Sequence, residues 1–539
     1  MPTLDWIGKQ AVVRHHAEVP FHLLKEDPDL SCGGEAGAGN LIVQGDNLKA
    51  LKALLPHYAG QVKCIFIDPP YNTGNEGWVY NDNVNSPEIK RWLESVVGKE
   101  GEDLTRHDKW LCMMYPRLML LKRFLREDGA IFVSLDDNEI GPLRLIMDEI
   151  FGAQNFVATI IWQKKYAVSN DHKSIAPMHD YVLVYQRTGS FRRNLLPRTE
   201  VNDKQYKFTD DKGLFRVSDY TCNKTADERP NLYYPVKNPN TGQEVWPKRT
   251  RVWGYSREVF DQHEQEGLIW WGKEGKASVP AFKRYRDSLK GGGGTVPPTL
   301  WTHEFADHND GAKKELREIF GAQAALDFFT PKPTRLIQRI LQIASESDSL
   351  ILDSFAGSGT TGHAVLKQNA EDGGRRRFIL VEMDENIAQN ITAERVQRVS
   401  QGYKNAKNES VSGLGSGFRF AKLGKTLFDE SGAIREDVKF RELAEFVYFH
   451  HTGSPMPKGW KSSPLLGIVD GRAIYLLYNG ILGDRSIDGG NVLTAPVLAN
   501  LPAHDGPKTI YAAACRLGPN RLERERIQFK QTPYGLKVD

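Results

Sequence analysis

No apolar run in the sequence is long enough to cross a bilayer, so a membrane anchor is not expected. Cysteine is scarce and scattered: Cys32, Cys64, Cys112, Cys222 and Cys515 form no CxxC pair. That spacing argues against a zinc ribbon and against a disulfide framework, and it fits a reducing compartment. Surplus charge is missing too. The 71 Lys and Arg are met by 68 Asp and Glu, a formal net charge of +3. The whole molecule therefore does not advertise a polyanionic partner, although a local basic surface is compatible with that balance. The 14 histidines show no ligand spacing, so no metal is expected. The opening residues MPTLDWIGKQ lack a basic stretch followed by an apolar core, so no secretory signal is expected and the location is read as cytoplasmic.

What the sequence does have is an alternation of strands and helices over 539 residues, enough for two to four domains. NLIVQGDN reads as a strand ending in Gly45 and Asp46, and LKALKALLPHY carries leucines at helical spacing. VKCIFID is the next strand. Residues 76–108 are polar and irregular and read as a mobile loop. WLCMMYPRLMLLKRFLRED reads as a helix stopped by Gly129. GAIFVSLD and HDYVLVYQR follow as strands. The pattern resumes with KPTRLIQRILQIA, SLILDSFAGSGTTGHAVLK and RRRFILVEMDENIAQNI. Such alternation predicts an α/β fold with a largely parallel sheet. Between 191 and 328 the chain is loop-rich and dense in aromatic and basic residues, with a glycine run at 291–294. SVSGLGSG, from Ser410, reads as a linker. The division read from these shifts is an N-terminal extension (1–39), one half of an α/β domain (40–190), an insert (191–328), the other half (329–409) and a small C-terminal α+β domain (418–539).

LILDSFAGSGTTGHAVL is a strand, a glycine turn and a helix. Gly357, Gly359 and Gly362 match G-x-G-x-x-G, and Glu382 lies about twenty residues further on, at the end of the next strand. Glycines let a backbone approach a ligand closely, a helix N-terminus favours a negative group, and the acid can accept from ribose hydroxyls. A P-loop is disfavoured because the lysine of GxxxxGK[ST] is absent. The motif by itself fits a nicotinamide cofactor, S-adenosylmethionine or a plain structural turn.

Asp68-Pro69-Pro70-Tyr71 narrows the choice. The strand CIFI must stop there, because proline cannot donate to a ladder. A planar exocyclic amine is a poor nucleophile, its lone pair being delocalised into the ring. An acceptor on each N–H would localise that pair. Asp68 supplies one acceptor, the Pro69 carbonyl another, Pro70 stiffens the turn, and Tyr71 offers a stacking face. Neither an oxidoreductase nor an ATPase needs this set. An isolated Asp68 is equally at home capping a turn, and Asp46 alone is a common turn residue.

DPPYNTG and LDSFAGSGTT together resemble the signature motifs of DNA amino-methyltransferases. Their order, catalytic motif first and cofactor motif almost three hundred residues later, resembles the circularly permuted beta class. QGDNLKAL, FFTPKPTRLIQRIL, GAIFVSLDDNE and HDYVLVYQR resemble further segments of that class. The resemblance covers roughly 40–190 and 325–400. It implies a Rossmann-like fold that uses S-adenosylmethionine, with Asp68, Pro69, Pro70 and Tyr71 as the catalytic set. It also implies that Asp46, Lys332, Asp353, Phe355, Gly357, Gly359, Thr360, Thr361 and Glu382 bind the cofactor. The DPPY spelling favours adenine N6 as acceptor, with cytosine N4 as the alternative. A non-catalytic DNA-specificity subunit is the alternative of another class.

In this class the insert is where a target-recognition domain sits. Arg192, Arg193, Lys248, Arg249, Arg251, Lys283, Arg284 and Arg286 are its expected phosphate contacts on double-stranded DNA. An ordinary solvated domain with a small aromatic core is the competing reading, and Trp270 and Trp271 suit either. The full layout resembles the modification subunit of Type III restriction–modification systems. That resemblance implies a homodimer, with a helicase–nuclease restriction subunit as a possible partner and the C-terminal domain as the place for such contacts.

Overall fold

The computed structural model describes residues 4–37, 39–73, 105–168, 174–288, 294–321, 330–478, 490–533 and 536. Most of the loop read at 76–108 lies outside the described residues. Its last four residues open a helix, where Thr105 and Asp108 form a capping box.

Two compact units emerge, one of Met1–Asn194 with Pro298–Asp539 and one of Leu195–Pro297. In the larger unit ten strands form one sheet. In chain order they are β1 (His22–Glu26), β2 (Leu41–Gln44), β3 (Val62–Ile67), β4 (Leu125–Leu135), β5 (Phe156–Gln163), β6 (His179–Gln186), β7 (Leu300–Trp301), β8 (Leu350–Asp353), β9 (Arg377–Glu382) and β10 (Arg419–Thr426). Across the sheet the order is β1-β10-β2-β9-β8-β3-β4-β6-β5-β7. The six strands from β10 to β4 run parallel. β6 is antiparallel to both its neighbours.

Why the centre is parallel follows from burial. All six residues of β3 are buried, and a strand covered on both faces reads as one continuous apolar run. The pleat then sorts its side chains. Ile65 and Ile67 enter a core with the helices Asn47–Tyr58, Arg106–Phe124 and Ile140–Phe151. Cys64 and Phe66 enter the opposite core with the helices Thr334–Ala344, Thr360–Asp372 and Glu394–Gln401. The result is a three-layer α/β arrangement with a large central sheet.

Several sequence boundaries move. The helix expected to run to Gly129 ends at Phe124, because Leu125 already pairs with Val62 and the next residues belong to β4. The insert expected to close at 328 closes at Pro297, because Leu300 and Trp301 return to pair with β5 and helix Asn309–Phe320 packs within the larger unit. The N-terminal extension contributes β1, and the C-terminal segment opens with β10, so both are part of the main sheet. The expected linker is ordered: Ser410–Ser412 pairs with Gly402–Lys404, and a Cβ on Gly417 would meet the Cys32 carbonyl oxygen at 2.2 Å. Beyond it, helix Phe440–Thr452 and a four-stranded sheet (Leu465–Val469, Arg472–Leu476, Lys508–Ala512, Ile527–Gln531) complete the larger unit.

The smaller unit is an antiparallel sheet in the order Ile269–Trp270, Ala281–Tyr285, Gly213–Asp219, Phe208–Asp210. Its core includes Tyr220, Trp253, Phe260 and Trp271. Arg192 and Arg193 fall in the larger unit. Within the smaller one, Arg251 pairs with Asp219 at 2.7 Å, Lys283 with Asp210 at 2.8 Å and Arg249 with Asp227 at 3.2 Å. Among the described residues no helix is long and apolar enough to span a membrane.

Candidate active site

β3 and β8 are neighbouring parallel strands, so the segments that follow them emerge on the same edge of the sheet. After β3 the prolines end the ladder and Asp68 turns into a cleft. Its Oδ2 lies 2.5 Å from Lys332 Nζ, and the two side chains are only 13% and 8% exposed. Its Oδ1 is buried and has no hydrogen-bond partner among the described residues. A buried acceptor left empty is costly and asks for a donor from outside the chain. The Lys332 ammonium also sits 4.9 Å from the centroid of the Tyr71 ring. A hydrogen bond of 2.7 Å between the Tyr71 hydroxyl and Ser134 Oγ fixes that ring. Burial, and after it the charge of Asp68, holds the Tyr71 phenol well above its ordinary pKa. The Pro70 carbonyl accepts from Trp110 Nε1 at 2.7 Å. The Pro69 carbonyl receives no hydrogen bond among the described residues and so keeps its acceptor capacity.

Asn72 is not among the site residues expected from the sequence, yet it holds this turn in place. It is 1% exposed and adopts a left-handed backbone, φ 58°. Its Nδ2 donates to the Arg106 carbonyl at 3.2 Å and to Glu139 Oε1. Glu139 is fully buried, and burial raises its carboxyl above the usual range. His107 Nδ1 lies 2.5 Å from the same oxygen. An asparagine after DPPY is a weak sequence signal for a left-handed turn. Nothing in the sequence points to Glu139. Replacing Asn72 with alanine is expected to cost about 2 kcal/mol in denaturant unfolding. Alanine is disfavoured at this φ, and a buried carboxylate loses a donor.

After β8, Asp353 is held by the turn it begins. Its Oδ1 accepts from the Phe355 N–H at 3.0 Å and its Oδ2 from Thr361 Oγ1 at 2.5 Å. Burial pushes its carboxyl up to about 7. Gly357 (φ 51°) and Gly359 (φ 74°) take left-handed conformations before helix Thr360–Asp372 starts. The Gly357 N–H donates to Glu382 Oε2 at 2.9 Å, and the Asp384 N–H to Oε1 at 2.9 Å. Glu382 at the end of β9 is therefore locked against the glycine turn. Thr360 Oγ1 donates to the Lys332 carbonyl at 3.1 Å, which ties the turn to the segment carrying Lys332.

Arg395 is another residue that no sequence motif singles out. It is fully buried and donates to Thr360 Oγ1 at 2.8 Å, Ser358 Oγ at 3.1 Å, Thr334 Oγ1 at 3.1 Å and Glu315 Oε2 at 3.1 Å. His363 Nδ1 lies 3.2 Å from Nη2, the nitrogen that also reaches Thr334 and Glu315. Burial, then the charge of Arg395, lowers the His363 pKa to about 3, so its ring is neutral. Asp46 ends the loop after β2. It caps helix Asn47–Tyr58 through the Lys49 N–H at 3.1 Å and pairs with the buried Arg117 at 3.1 Å. The adjoining Gly45 N–H reaches the Glu382 carbonyl at 2.9 Å, so Asp46 flanks the acid end of the turn.

The two motifs meet. One cleft is lined by Phe66, Asp68, Lys332, Asp353, Phe355, Ala356, Gly357, Ser358, Thr360 and Thr361. Residues far apart in the chain converge there, and Tyr71 contacts it through the Lys332 ammonium. Ser354 Oγ is a second buried oxygen with no partner among the described residues. The cleft thus combines an empty buried acceptor on Asp68 and a helix N-terminus, with an acid fixed against its glycine turn at the neighbouring strand end.

Comparison with known proteins places these observations in a family. A family model described as DNA methylase matches residues 62–394. The StyLTI Mod subunit of a Type III restriction–modification enzyme from Salmonella typhimurium is 34% identical over 79% of this chain and 67% of its own length. The EcoPI Mod subunit of a Type III enzyme from Escherichia phage P1 is 31% identical over 77% of this chain and 70% of its own. The Type II methyltransferase M.KpnI from Klebsiella pneumoniae is 30% identical over 68% of this chain and 89% of its own.

Proposed function

The chain belongs to the DNA methylase family, and from that premise we propose that it methylates the N6 amino group of adenine in double-stranded DNA, using S-adenosylmethionine, as part of a restriction–modification system. The observation that carries the reading is Asp68 Oδ1, a buried acceptor without a donor among the described residues, on a side chain that lines the cleft of the glycine turn.

The residues present suit the cofactor. The start of helix Thr360–Asp372, which has no side-chain cap among the described residues, would meet a carboxylate, Glu382 and Asp46 would meet the ribose and adenine, and Phe355 lines the cleft. When bound, S-adenosylmethionine supplies a methyl carbon made electrophilic by a sulfonium. The chain's own part is placement. Asp68 Oδ1 accepts one N–H of the target amine and the Pro69 carbonyl accepts the other, so the nitrogen lone pair turns out of the ring plane. Tyr71, pinned by Ser134, is the face on which the base rests. The base has to leave the duplex to reach these groups. Holding the two reacting atoms in line can supply roughly 7–11 kcal/mol of a barrier. The proton released from the amine passes to Asp68 Oδ1 or to water.

The DPPY spelling supports adenine, and the identity with Mod subunits supports a Type III system with a restriction subunit as partner. The unit Leu195–Pro297 is assigned to DNA recognition. Its Arg249 and Arg251 are 69% and 43% exposed and would exchange their carboxylates for phosphates in binding. Homodimer formation is part of the same proposal. The test is transfer from methyl-labelled S-adenosylmethionine to unmethylated DNA, followed by digestion to nucleosides. Label in N6-methyladenine is expected. Label in N4-methylcytosine would move the acceptor to cytosine, and unlabelled DNA would overturn the assignment.

A further inference from the structure

Lys332 stands at the edge of the place that the reading above gives to the acceptor base. Its ammonium holds Asp68 Oδ2, the oxygen beside the one given to the amine, at 2.5 Å, and lies over the Tyr71 face, on which the base would rest, with the ring centroid at 4.9 Å. Its main chain cannot follow the ammonium if that group moves. The Lys332 carbonyl is held by Thr360 Oγ1, and the next residue, Pro333, caps helix Thr334–Ala344. Only the four-carbon stem is free to swing. The acidic groups facing it are Asp68 and, further off, Asp353 and Asp180, the last already paired with Lys164 at 2.5 Å.

We propose that Lys332 holds the place of the acceptor base over Tyr71 and senses the charge on the cofactor sulfur. With a neutral sulfur in the cleft, Lys332 stays on Asp68 Oδ2 and over the Tyr71 ring, so the base cannot settle there. A sulfonium brings a second positive charge into the same cleft, where burial leaves little screening, and drives Lys332 off. The subsite then opens only when a transferable methyl is present. Once the methyl is gone the sulfur is neutral, Lys332 returns to Asp68, and the methylated base is displaced. This proposal rests on the cofactor assignment above.

Calorimetric titration of the full chain without DNA tests it, using S-adenosylmethionine and its neutral demethylated product, S-adenosylhomocysteine. The wild-type protein is expected to bind the neutral compound at least about tenfold more tightly. In Lys332→Met that ratio is expected to fall by about tenfold, and Lys332→Arg is expected to keep it. Because Lys332→Met leaves Asp68 unpaired, the double variant Asp68→Asn/Lys332→Met serves as a second test and should shift the ratio the same way. A ratio within twofold of wild type in both methionine variants would overturn the sensor while leaving the cofactor assignment intact. Failure of the wild type to bind either compound would overturn the cofactor assignment itself.

Discussion

Asp68→Asn is expected to lower methyl transfer by about a thousandfold while leaving the affinity for S-adenosylhomocysteine within about threefold of wild type. The amide is close in shape to the carboxylate but presents a weaker acceptor and a donor that opposes the amine. Removing one group aimed at charge that develops in a transition state commonly costs about a hundred- to a thousandfold in rate. Here the same group also takes part in removing the proton. The neutral thioether is the right ligand for the binding half of the prediction, because it does not contend with a Lys332 ammonium that has lost its anion. Lys332 is 8% exposed, so this loss also weakens folding, and an unfolding curve run alongside separates the two effects. Single-turnover transfer to DNA and calorimetry give the two numbers. Near wild-type transfer would remove Asp68 from the chemistry.

The complementary result is expected from Gly359→Val: cofactor affinity falls by about thirtyfold or more. Gly359 has φ 74°, a region that costs an L-residue roughly 1–2 kcal/mol, and more for a β-branched one. A Cβ there would also lie 2.9 Å from the Thr392 carbonyl oxygen and 3.3 Å from its Cα, both backbone atoms. Since neither can yield without moving the helix that carries Arg395, the start of helix Thr360–Asp372 has to shift. The variant is expected to retain DNA in a mobility-shift assay, because the surface assigned to DNA lies in another unit. Wild-type affinity for the cofactor would show that the glycine turn does not form its site.

The two variants sort the site by kind of residue, and the same distinction explains how much of it was legible beforehand. Contiguous motifs were readable. Strands β3, β8 and β9 are apolar runs because both faces are covered, and the turns after them are written in prolines, glycines and acids that a ladder or helix would exclude. Contacts between distant segments were not. The resemblance implies a cofactor role for Lys332, and it does line the cleft, but its ammonium sits on Asp68, 264 positions away in the chain. The pairings of Asn72 with Glu139 and of Arg395 with Glu315 are likewise made by the fold, and no local pattern marks them. Boundaries failed for a related reason. A two-residue strand such as Leu300–Trp301 is defined by its pairing with β5 and has no periodicity of its own. The glycines after Ser410 looked like a flexible linker, whereas Gly413 and Gly417 are needed where backbones approach too closely for a side chain.

The most direct measurement is a structure of the protein bound to DNA and a non-transferring sulfonium analogue of the cofactor. The account predicts an extruded adenine on the Tyr71 ring, its amino group on Asp68 Oδ1 and the Pro69 carbonyl, and Lys332 withdrawn from Asp68. A base bound elsewhere, with the Asp68–Lys332 pair unbroken and the sulfur facing away from residue 68, would contradict it.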